Sequence, residues 1–264
     1  MTDLSTLATM ARAAVDAARS MPANLAPGQF DTWGDFKAAF DLVDGPLSTV
    51  VRERLDAVRP GVPWVDEMET ELPDGEAWVV DAVDGAVQYL QGLPQWSVSI
   101  GLLRDGQAVL AALYSPFLGE VYTAARHRGA FRNGVRVSPS IKTDLSLTLV
   151  GTSHPPFPGR QPAALRATGR AMTLVLPAVG VVRNLGPTSW QVADVASGRM
   201  DIFFEYGRDT TNLLAASLVV TEAGGIVTDA GGRPWNGQSE SFVAAPAGLH
   251  SQFITLLAQD RPRE

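Results

Sequence analysis

The 264-residue sequence contains no cysteine, which excludes disulfides, thiolate metal sites and a cysteine nucleophile. It has only three histidines, His127, His154 and His250, and they are far apart along the chain. This scarcity argues against a histidine-rich metal centre and against a histidine-based catalytic triad. We therefore expect catalytic or metal-binding groups among the other side chains.

Positive charge and long apolar runs are also scarce. The net charge of −7 and the isoelectric point near 5.0 argue against broad nucleic-acid binding, which depends on Lys and Arg neutralising phosphates. The longest apolar stretch, 172–182, contains Pro177 and is too short to span a bilayer. The first residues lack a basic segment followed by an apolar signal core. We expect a cytoplasmic protein without membrane segments.

Hydrophobic residues, in contrast, are abundant. They make up 45% of the chain and can form a substantial core. Apolar residues at helical spacing over 3–20 predict an amphipathic opening helix. A second helix is predicted to begin near Pro46, because the fixed φ of proline suits a first turn, and to end at Pro60-Gly61.

From Ala77 onward the pattern changes to short apolar runs separated by turn residues, which predicts strands at 77–80, 97–103, 108–114 and 120–125. The dipeptides Asp105-Gly106 and Asn133-Gly134 predict tight turns, because these residues readily adopt positive φ. The strands on either side of Asp105-Gly106 should therefore pair antiparallel.

The second half alternates between strands and helices. Strands are predicted near 147–151, 179–183, 201–204, 226–228 and 241–245, and helices at 189–197, 212–223 and 249–258. Gly224-Gly225 predicts the end of the second of these helices. The change of pattern near residue 145 predicts an N-terminal α+β lobe (1–144) and a C-terminal α/β lobe (145–264).

The most informative stretch is 78–85, an apolar run that leads to Asp81, Asp84 and Gly85. Hard cations such as Mg²⁺ prefer oxygen ligands of this kind. If the chain then enters a short helix at 86–90, amides near Gly85 and Ala86 would point toward an anion beside the metal. The spacing alone favours a simpler interpretation, in which the two aspartates only form turns.

This stretch lies among others that, in the same order, resemble segments of the inositol monophosphatase family. It is similar to the family signature Asp-Pro-Ile-Asp-Gly-Thr. Further similar segments are Trp64-Val65-Asp66-Glu67, 96–101, Tyr114-Ser115-Pro116, 129–134, the single residues Arg183 and Gly186, the run 195–198 with Asp201, and 221–225. The resemblance covers about residues 1–255 and implies a five-layer αβαβα sandwich and a homodimer.

The resemblance also implies roles at the reacting centre. The implied metal ligands are Glu67, Asp81, the backbone carbonyl of Val83, Asp84 and Asn212. The implied catalytic residues are Asp44, which would help to organise the attacking water, and Glu67. Mg²⁺ ions would neutralise the substrate phosphate and activate that water, with no covalent enzyme intermediate.

Other implied roles concern the substrate. Gly85 and Ala86 would bind its phosphate, and Ser153, Gly186 and Glu205 would contact the rest of it. For Ser153 and Glu205 a simpler interpretation is at least as good, namely a strand-end serine and a surface glutamate.

Two positions depart from the family pattern. Ala86 replaces a threonine whose hydroxyl helps to hold a metal and to orient the water. Asn212 replaces an aspartate that binds a second metal, so a carbonyl oxygen remains but the charge is lost. Asp209 could substitute, but on a helix it would be displaced by most of a turn. Asparagine is also a common helix N-cap, which would explain Asn212 without a metal.

The sequence thus leaves two main functions open, besides a non-hydrolytic catalytic role for which no residue gives evidence. The changes at Ala86 and Asn212 predict weakened Mg²⁺ affinity, weak or absent phosphatase activity, and a role as a binding subunit or protein partner. The retained acidic residues predict instead an active Mg²⁺-dependent phosphatase for a small phosphorylated polyol, sugar or nucleotide-like metabolite. We favour the first from the sequence. In both cases the expected ligand is a small anionic or phosphorylated metabolite.

Overall fold

The structure is a computed structural model that describes residues 3–21, 28–65 and 72–259. The helices are α1 (Asp3–Arg19), α2 (Trp33–Asp56), α3 (Ala86–Leu90), α4 (Pro162–Val175), α5 (Thr188–Ala196), α6 (Thr210–Ala223) and α7 (Ala247–Ala258). The strands are β1 (Glu76–Asp84), β2 (Ser97–Arg104), β3 (Gln107–Ser115), β4 (Glu120–Ala125), β5 (Gly129–Arg132), β6 (Val135–Arg136), β7 (Leu149–Thr152), β8 (Val181–Arg183), β9 (Ile202–Tyr206), β10 (Ile226–Thr228) and β11 (Ser241–Ala245).

These elements stack in five layers. The first sheet is antiparallel in the order β1-β2-β3-β4-β5-β6, and the second is mixed in the order β10-β11-β9-β7-β8. Helices α1 and α2 cover one face of the first sheet, α5 and α6 lie between the sheets, and α4 and α7 cover the outer face of the second. The predicted αβαβα sandwich is confirmed, whereas the division into lobes at 144/145 stays a prediction.

Helix α2 begins thirteen residues earlier than predicted, at Trp33 rather than near Pro46. The Thr32 hydroxyl accepts a hydrogen bond from the Asp35 amide, and the Asp35 carboxylate accepts one from the Thr32 amide. This reciprocal capping box determines the start of the helix. The prediction from Pro46 was wrong because this proline lies inside α2, which also carries Asp44.

The predicted tight turns are confirmed. Asp105 and Gly106 have φ values of 52° and 71°, and Asn133 and Gly134 have values of 50° and 77°. β2 and β3 pair antiparallel on either side of the first turn. Helix α4 was not predicted, although proline at its first position is a typical start signal.

Helix α6 is anchored to the first sheet through Glu222. Its carboxylate accepts hydrogen bonds from the backbone amides of His127, Arg128 and Gly129, in the turn between β4 and β5. Gly224 ends α6 with a φ of 96°, as predicted. Within the described ranges, no helix combines the length and apolarity needed to cross a membrane.

Candidate active site

Asp81 and Asp84 lie at the end of β1, where its pairing with β2 is interrupted by a bulge. Asp81 pairs with Ser99 and Asp84 with Ser97, so β1 contains one extra residue between these pairs. Residues three apart on a regular strand point to opposite faces, and the extra residue removes this alternation. The backbone amide of Val83 donates to Asp81 Oδ1 at 2.9 Å, which stabilises the bend. The bulge thus allows both carboxylates to face one side.

Gly85 connects β1 to α3 with a φ of +92°. A Cβ atom there would lie 2.8 Å from the carbonyl oxygen of Gln95, 3.2 Å from Pro187 Cβ and 3.3 Å from Trp96 Cα. Both the backbone conformation and the space therefore require glycine. α3 follows with the limits expected from the sequence, and Ala86 is its first residue.

Asp84 is only 5% exposed and is held by the first turn of α5. Its Oδ2 accepts a hydrogen bond from the Ser189 amide at 2.8 Å. Burial raises the pKa of Asp84 to about 6, although hydrogen bonds from Ser189 and Thr188 act in the opposite direction. Sequence reasoning missed both residues, for which the available signal was Pro187 immediately before a helix.

The predicted substrate residues Ser153 and Gly186 lie beside these elements. Ser153 follows β7 and accepts a hydrogen bond from the Thr188 hydroxyl at 2.9 Å. Gly186 lies against α3, because a Cβ atom at this position would clash with Gln88 Nε2. The structure therefore brings both residues to the ends of α3 and α5, and their contact with substrate stays a prediction.

Glu205 is 1% exposed, so the interpretation as a surface glutamate is wrong. Neither carboxylate oxygen has a hydrogen-bond donor among the described residues, but the carboxyl group of Asp209 lies close enough to share a proton with Glu205. Burial raises the pKa of Glu205 well above its usual range, and the neighbouring charges of Asp209 and Asp84 raise it further. Glu205 therefore lies near both aspartates.

Asn212 and Asp209 are in direct contact. α6 begins at Thr210, and Asp209 precedes it with a non-helical φ of −140° and ψ of 62°. This backbone conformation brings the two side chains together, and Asn212 Nδ2 donates to Asp209 Oδ1 at 2.8 Å. Asp209 therefore lies before the helix and beside Asn212, and its displacement from the metal-ligand position stays a prediction. The N-cap interpretation of Asn212 is also wrong, because Asn212 is the third residue of the helix.

The two predicted catalytic acids are Asp44 and Glu67. Asp44 is half-buried on α2, which packs against β1 and α3. Burial raises its pKa, and a 3.3 Å hydrogen bond from the Ser48 hydroxyl partly offsets this effect. Glu67 lies outside the described residues.

A cleft of about 710 Å³ opens beside Asp209, between α4 and the segment that links β9 to α6. Three arginines contribute to its lining, namely Arg160, Arg170 and Arg208. Arg208 also forms a 3.5 Å ion pair with Glu240 at the rim. The basic lining suits an anionic ligand.

The oxygen atoms at this site are suitable ligands for a hard cation. Within 3–21, 28–65 and 72–259, no three Asp, Glu or His side chains already converge on one metal position. Nevertheless, Asn212 Oδ1 and both oxygens of Glu205 are buried acceptors without a hydrogen-bond donor among these residues. Such groups are normally satisfied, and a bound cation or water would satisfy them here. With Asp81, Asp84 and the Val83 carbonyl, Asn212 Oδ1 offers the oxygen ligands that Mg²⁺ prefers.

Comparison with known proteins identifies the family and the fold. The sequence model of the inositol monophosphatase family matches residues 6–263. The chain is 33% identical over 233 residues to an inositol-1-monophosphatase of Mesorhizobium japonicum, covering 86% of each protein. It is 33% identical over 170 residues to the Nus factor SuhB of Pasteurella multocida, covering 64% of this chain and 62% of the relative. An inositol monophosphatase structure from Anabaena (Nostoc) superposes with a TM-score of 0.83 at 25% identity, covering 99% of this chain and 98% of the other.

Proposed function

Because the chain belongs to the inositol monophosphatase family, we propose that it is a slow, Mg²⁺-dependent phosphoric monoester hydrolase. Its substrate would be a small phosphorylated metabolite such as a polyol, sugar or nucleotide-like phosphate. The observation that carries this proposal is the buried carboxylate of Asp84, fixed by α5 near Glu205, whose oxygens lack a hydrogen-bond donor among the described residues. A buried group of this kind is stabilised by a cation.

The proposed ligands of Mg²⁺ are Asp81, Asp84, the Val83 carbonyl, Asn212 and Glu67. When bound, the ion supplies charge neutralisation at the phosphate and lowers the pKa of a coordinated water. The Ser189 amide keeps the Asp84 carboxylate oriented. Asp44 would accept a hydrogen bond from the attacking water, and Gly85 and Ala86 would contact the phosphate.

The remaining groups would position the substrate. Ser153, Gly186 and Glu205 lie at element ends around the same carboxylates and are proposed to contact the substrate hydroxyls. The arginines of the neighbouring cleft would attract an anionic ligand. The layers on both sides of α5 and α6 exclude part of the solvent, which strengthens these interactions.

Slow turnover follows from Ala86, because a methyl group cannot hold or orient the water. We expect the protein to release phosphate from inositol monophosphates at below about 1 per second at millimolar Mg²⁺, whereas a typical enzyme reaches about 10 per second. Asp84→Asn protein, purified in parallel, controls for a contaminating phosphatase. A faster rate in the wild type that disappears in this control would contradict the expectation.

Ala86→Thr is expected to increase kcat about tenfold, because one hydrogen bond that orients the water is worth about 1.4 kcal/mol in the transition state. Ala86→Val is the matched control, since it has nearly the same shape but no hydroxyl. Phosphate release measured on the three proteins tests the effect. Equal rates for Thr and Val at position 86 would show that the missing hydroxyl does not limit turnover.

A second candidate function is that of a binding subunit without useful turnover. It is supported by the changes at Ala86 and Asn212, and by the similarity to a relative named as a Nus factor. It would be favoured if inorganic phosphate bound the wild type with Mg²⁺ while phosphate release equalled that of Asp84→Asn. A homodimer, a protein partner and a cytoplasmic location are further predictions under either candidate.

A further inference from the structure

We infer that Asp209 supplies the negative charge that is missing at position 212, so that Asp209 and Asn212 act as one hydrogen-bonded unit. In this unit Asn212 Oδ1 is the cation ligand, and Asp209 is the positioning residue behind it. The inference rests on the proposed function, because it concerns the same cation site. It changes the expectation from the sequence, since the charge is displaced by one hydrogen bond rather than lost.

The orientation of the Asn212 amide is the first argument. The hydrogen bond from Nδ2 to Asp209 fixes the amide, and the carbonyl oxygen therefore points in another direction. Asn212 is 8% exposed, and Oδ1 accepts no hydrogen bond from the residues that the structure describes. A buried carbonyl oxygen held in this way is a preorganised ligand for a hard cation.

The position of Asp209 is the second argument. Asp209 stands immediately before α6, where an aspartate normally accepts a hydrogen bond from a backbone amide of the first turn. Among the described residues its side chain makes no such capping bond. Instead it is 3% exposed and accepts the hydrogen bond from Asn212. Helix capping therefore does not account for its conformation.

Glu205 provides an independent observation that points to a ligand. It is buried near Asp84 and beside Asp209, with which it can share a proton, and no other described residue offers its oxygens a hydrogen-bond donor. Burying several carboxylates together is unfavourable unless a proton or a cation accompanies them. The same group of residues thus combines excess negative charge with oxygen acceptors that a cation can satisfy.

The chemistry of such a unit explains why Asp209 would matter without touching the ion. A carboxylate that accepts a hydrogen bond from a metal ligand fixes the orientation of that ligand and makes its donor atom more basic. Removal of such a supporting group typically weakens metal binding about 10- to 100-fold. The side chain of Asp209 has this relation to Asn212.

The test uses the full chain and measures cation binding directly. Mg²⁺ is titrated by calorimetry, and Mn²⁺ binding is followed by electron paramagnetic resonance. The variants are Asp209→Asn, Asn212→Asp and the exchange Asp209→Asn/Asn212→Asp, which moves the carboxylate to the family position. Asp144→Asn is the matched control, because Asp144 is an exposed aspartate at the start of the turn 145–147.

We expect Asp209→Asn to weaken binding of both cations at least tenfold. The exchange variant should restore the affinity to within about threefold of the wild-type value, and Asp144→Asn should have no effect. Unchanged affinity in Asp209→Asn overturns the inference, and so does a folded exchange variant that fails to restore binding. If Asp209→Asn does not fold, Asp209→Ser tests the same loss. A wild type whose cation binding depends on Asp209 but which releases no phosphate would refute the proposed hydrolase while supporting this inference. A wild type that binds neither cation would overturn the inference.

Discussion

Asp84→Asn is expected to weaken Mg²⁺ binding about a thousandfold and at the same time to stabilise the metal-free protein. A unit charge within about 4 Å of another contributes about 4 kcal/mol at an effective dielectric constant of 20, and each 1.4 kcal/mol is a factor of ten. The loss of one ligand carboxylate should therefore abolish most cation binding. It should also abolish Mg²⁺-dependent phosphate release.

The stabilising effect follows from the pKa of Asp84. Burial raises this pKa from 3.8 to about 6, a difference that corresponds to about 3 kcal/mol. Below pH 3.8 the carboxyl is neutral in both the folded and unfolded states. As the pH rises toward 6, the unfolded state releases its proton first, so the wild type loses stability. Asparagine does not titrate, and the variant should therefore be more stable by about 3 kcal/mol at pH 8.

Urea denaturation in the presence of a chelator measures the difference in unfolding free energy between the wild type and Asp84→Asn. The difference should be large at pH 8 and smaller near pH 4. Asp201→Asn is an informative control, because Asp201 is also buried but is paired with Lys142 at 2.7 Å and with the Leu149 amide at 2.8 Å. This substitution should destabilise the protein and leave Mg²⁺ affinity unchanged. A destabilised Asp84→Asn protein would show that Asp84 has a structural rather than a ligand role.

The features that could be predicted from the sequence are those fixed by local backbone chemistry. Asp105-Gly106 forms its turn because both residues tolerate positive φ, and α3 starts after Gly85 because of the conformation of this glycine. The prediction for α2 rested on Pro46, whereas the cap formed by Thr32 and Asp35 determines where the helix starts. The structure shows that a capping box can outweigh a proline.

The composition of the site was predictable only in part. Asp81 and Asp84 stand in a recognisable segment, but the contact between Asp84 and Ser189 depends on how α5 packs against the end of β1. The pairing of Asp209 with Asn212 depends on one non-helical residue before α6. The first relation leaves no trace in residue spacing, because it is set by tertiary structure. The second is local, but residue spacing does not specify the backbone conformation on which it depends.

The burial of Glu205 could not be predicted from the local sequence either. Alone, a glutamate between aromatic residues is compatible with a strand that has one exposed face. β9, however, lies in the middle of its sheet between β11 and β7, and helices cover both faces. Burial of Glu205 therefore follows from the position of its strand, which the local sequence does not specify.

Gly85→Ala is expected to lower the unfolding free energy by about 2 to 5 kcal/mol. A residue with Cβ in the left-handed region costs about 1 to 2 kcal/mol, and inserting an atom into a packed site typically costs about 1 to 3 kcal/mol more. The added Cβ would lie 2.8 Å from the Gln95 carbonyl oxygen, which belongs to backbone and cannot rotate away. Displacement of Gly85 would also move Asp84 and α3, so phosphate release should decrease.

Gly119→Ala separates the two contributions. Gly119 also has a positive φ, +64°, but no atom of the described residues lies within 4 Å of the place that a Cβ would occupy, its chain neighbours aside. Its substitution should therefore cost only the conformational term of about 1 to 2 kcal/mol. Urea denaturation curves of both variants, compared at equal m-values, give the excess due to the contact with Gln95, Trp96 and Pro187. If Gly85→Ala is no less stable than Gly119→Ala, the turn that joins β1 to α3 can relax, and steric exclusion does not explain the glycine at this position.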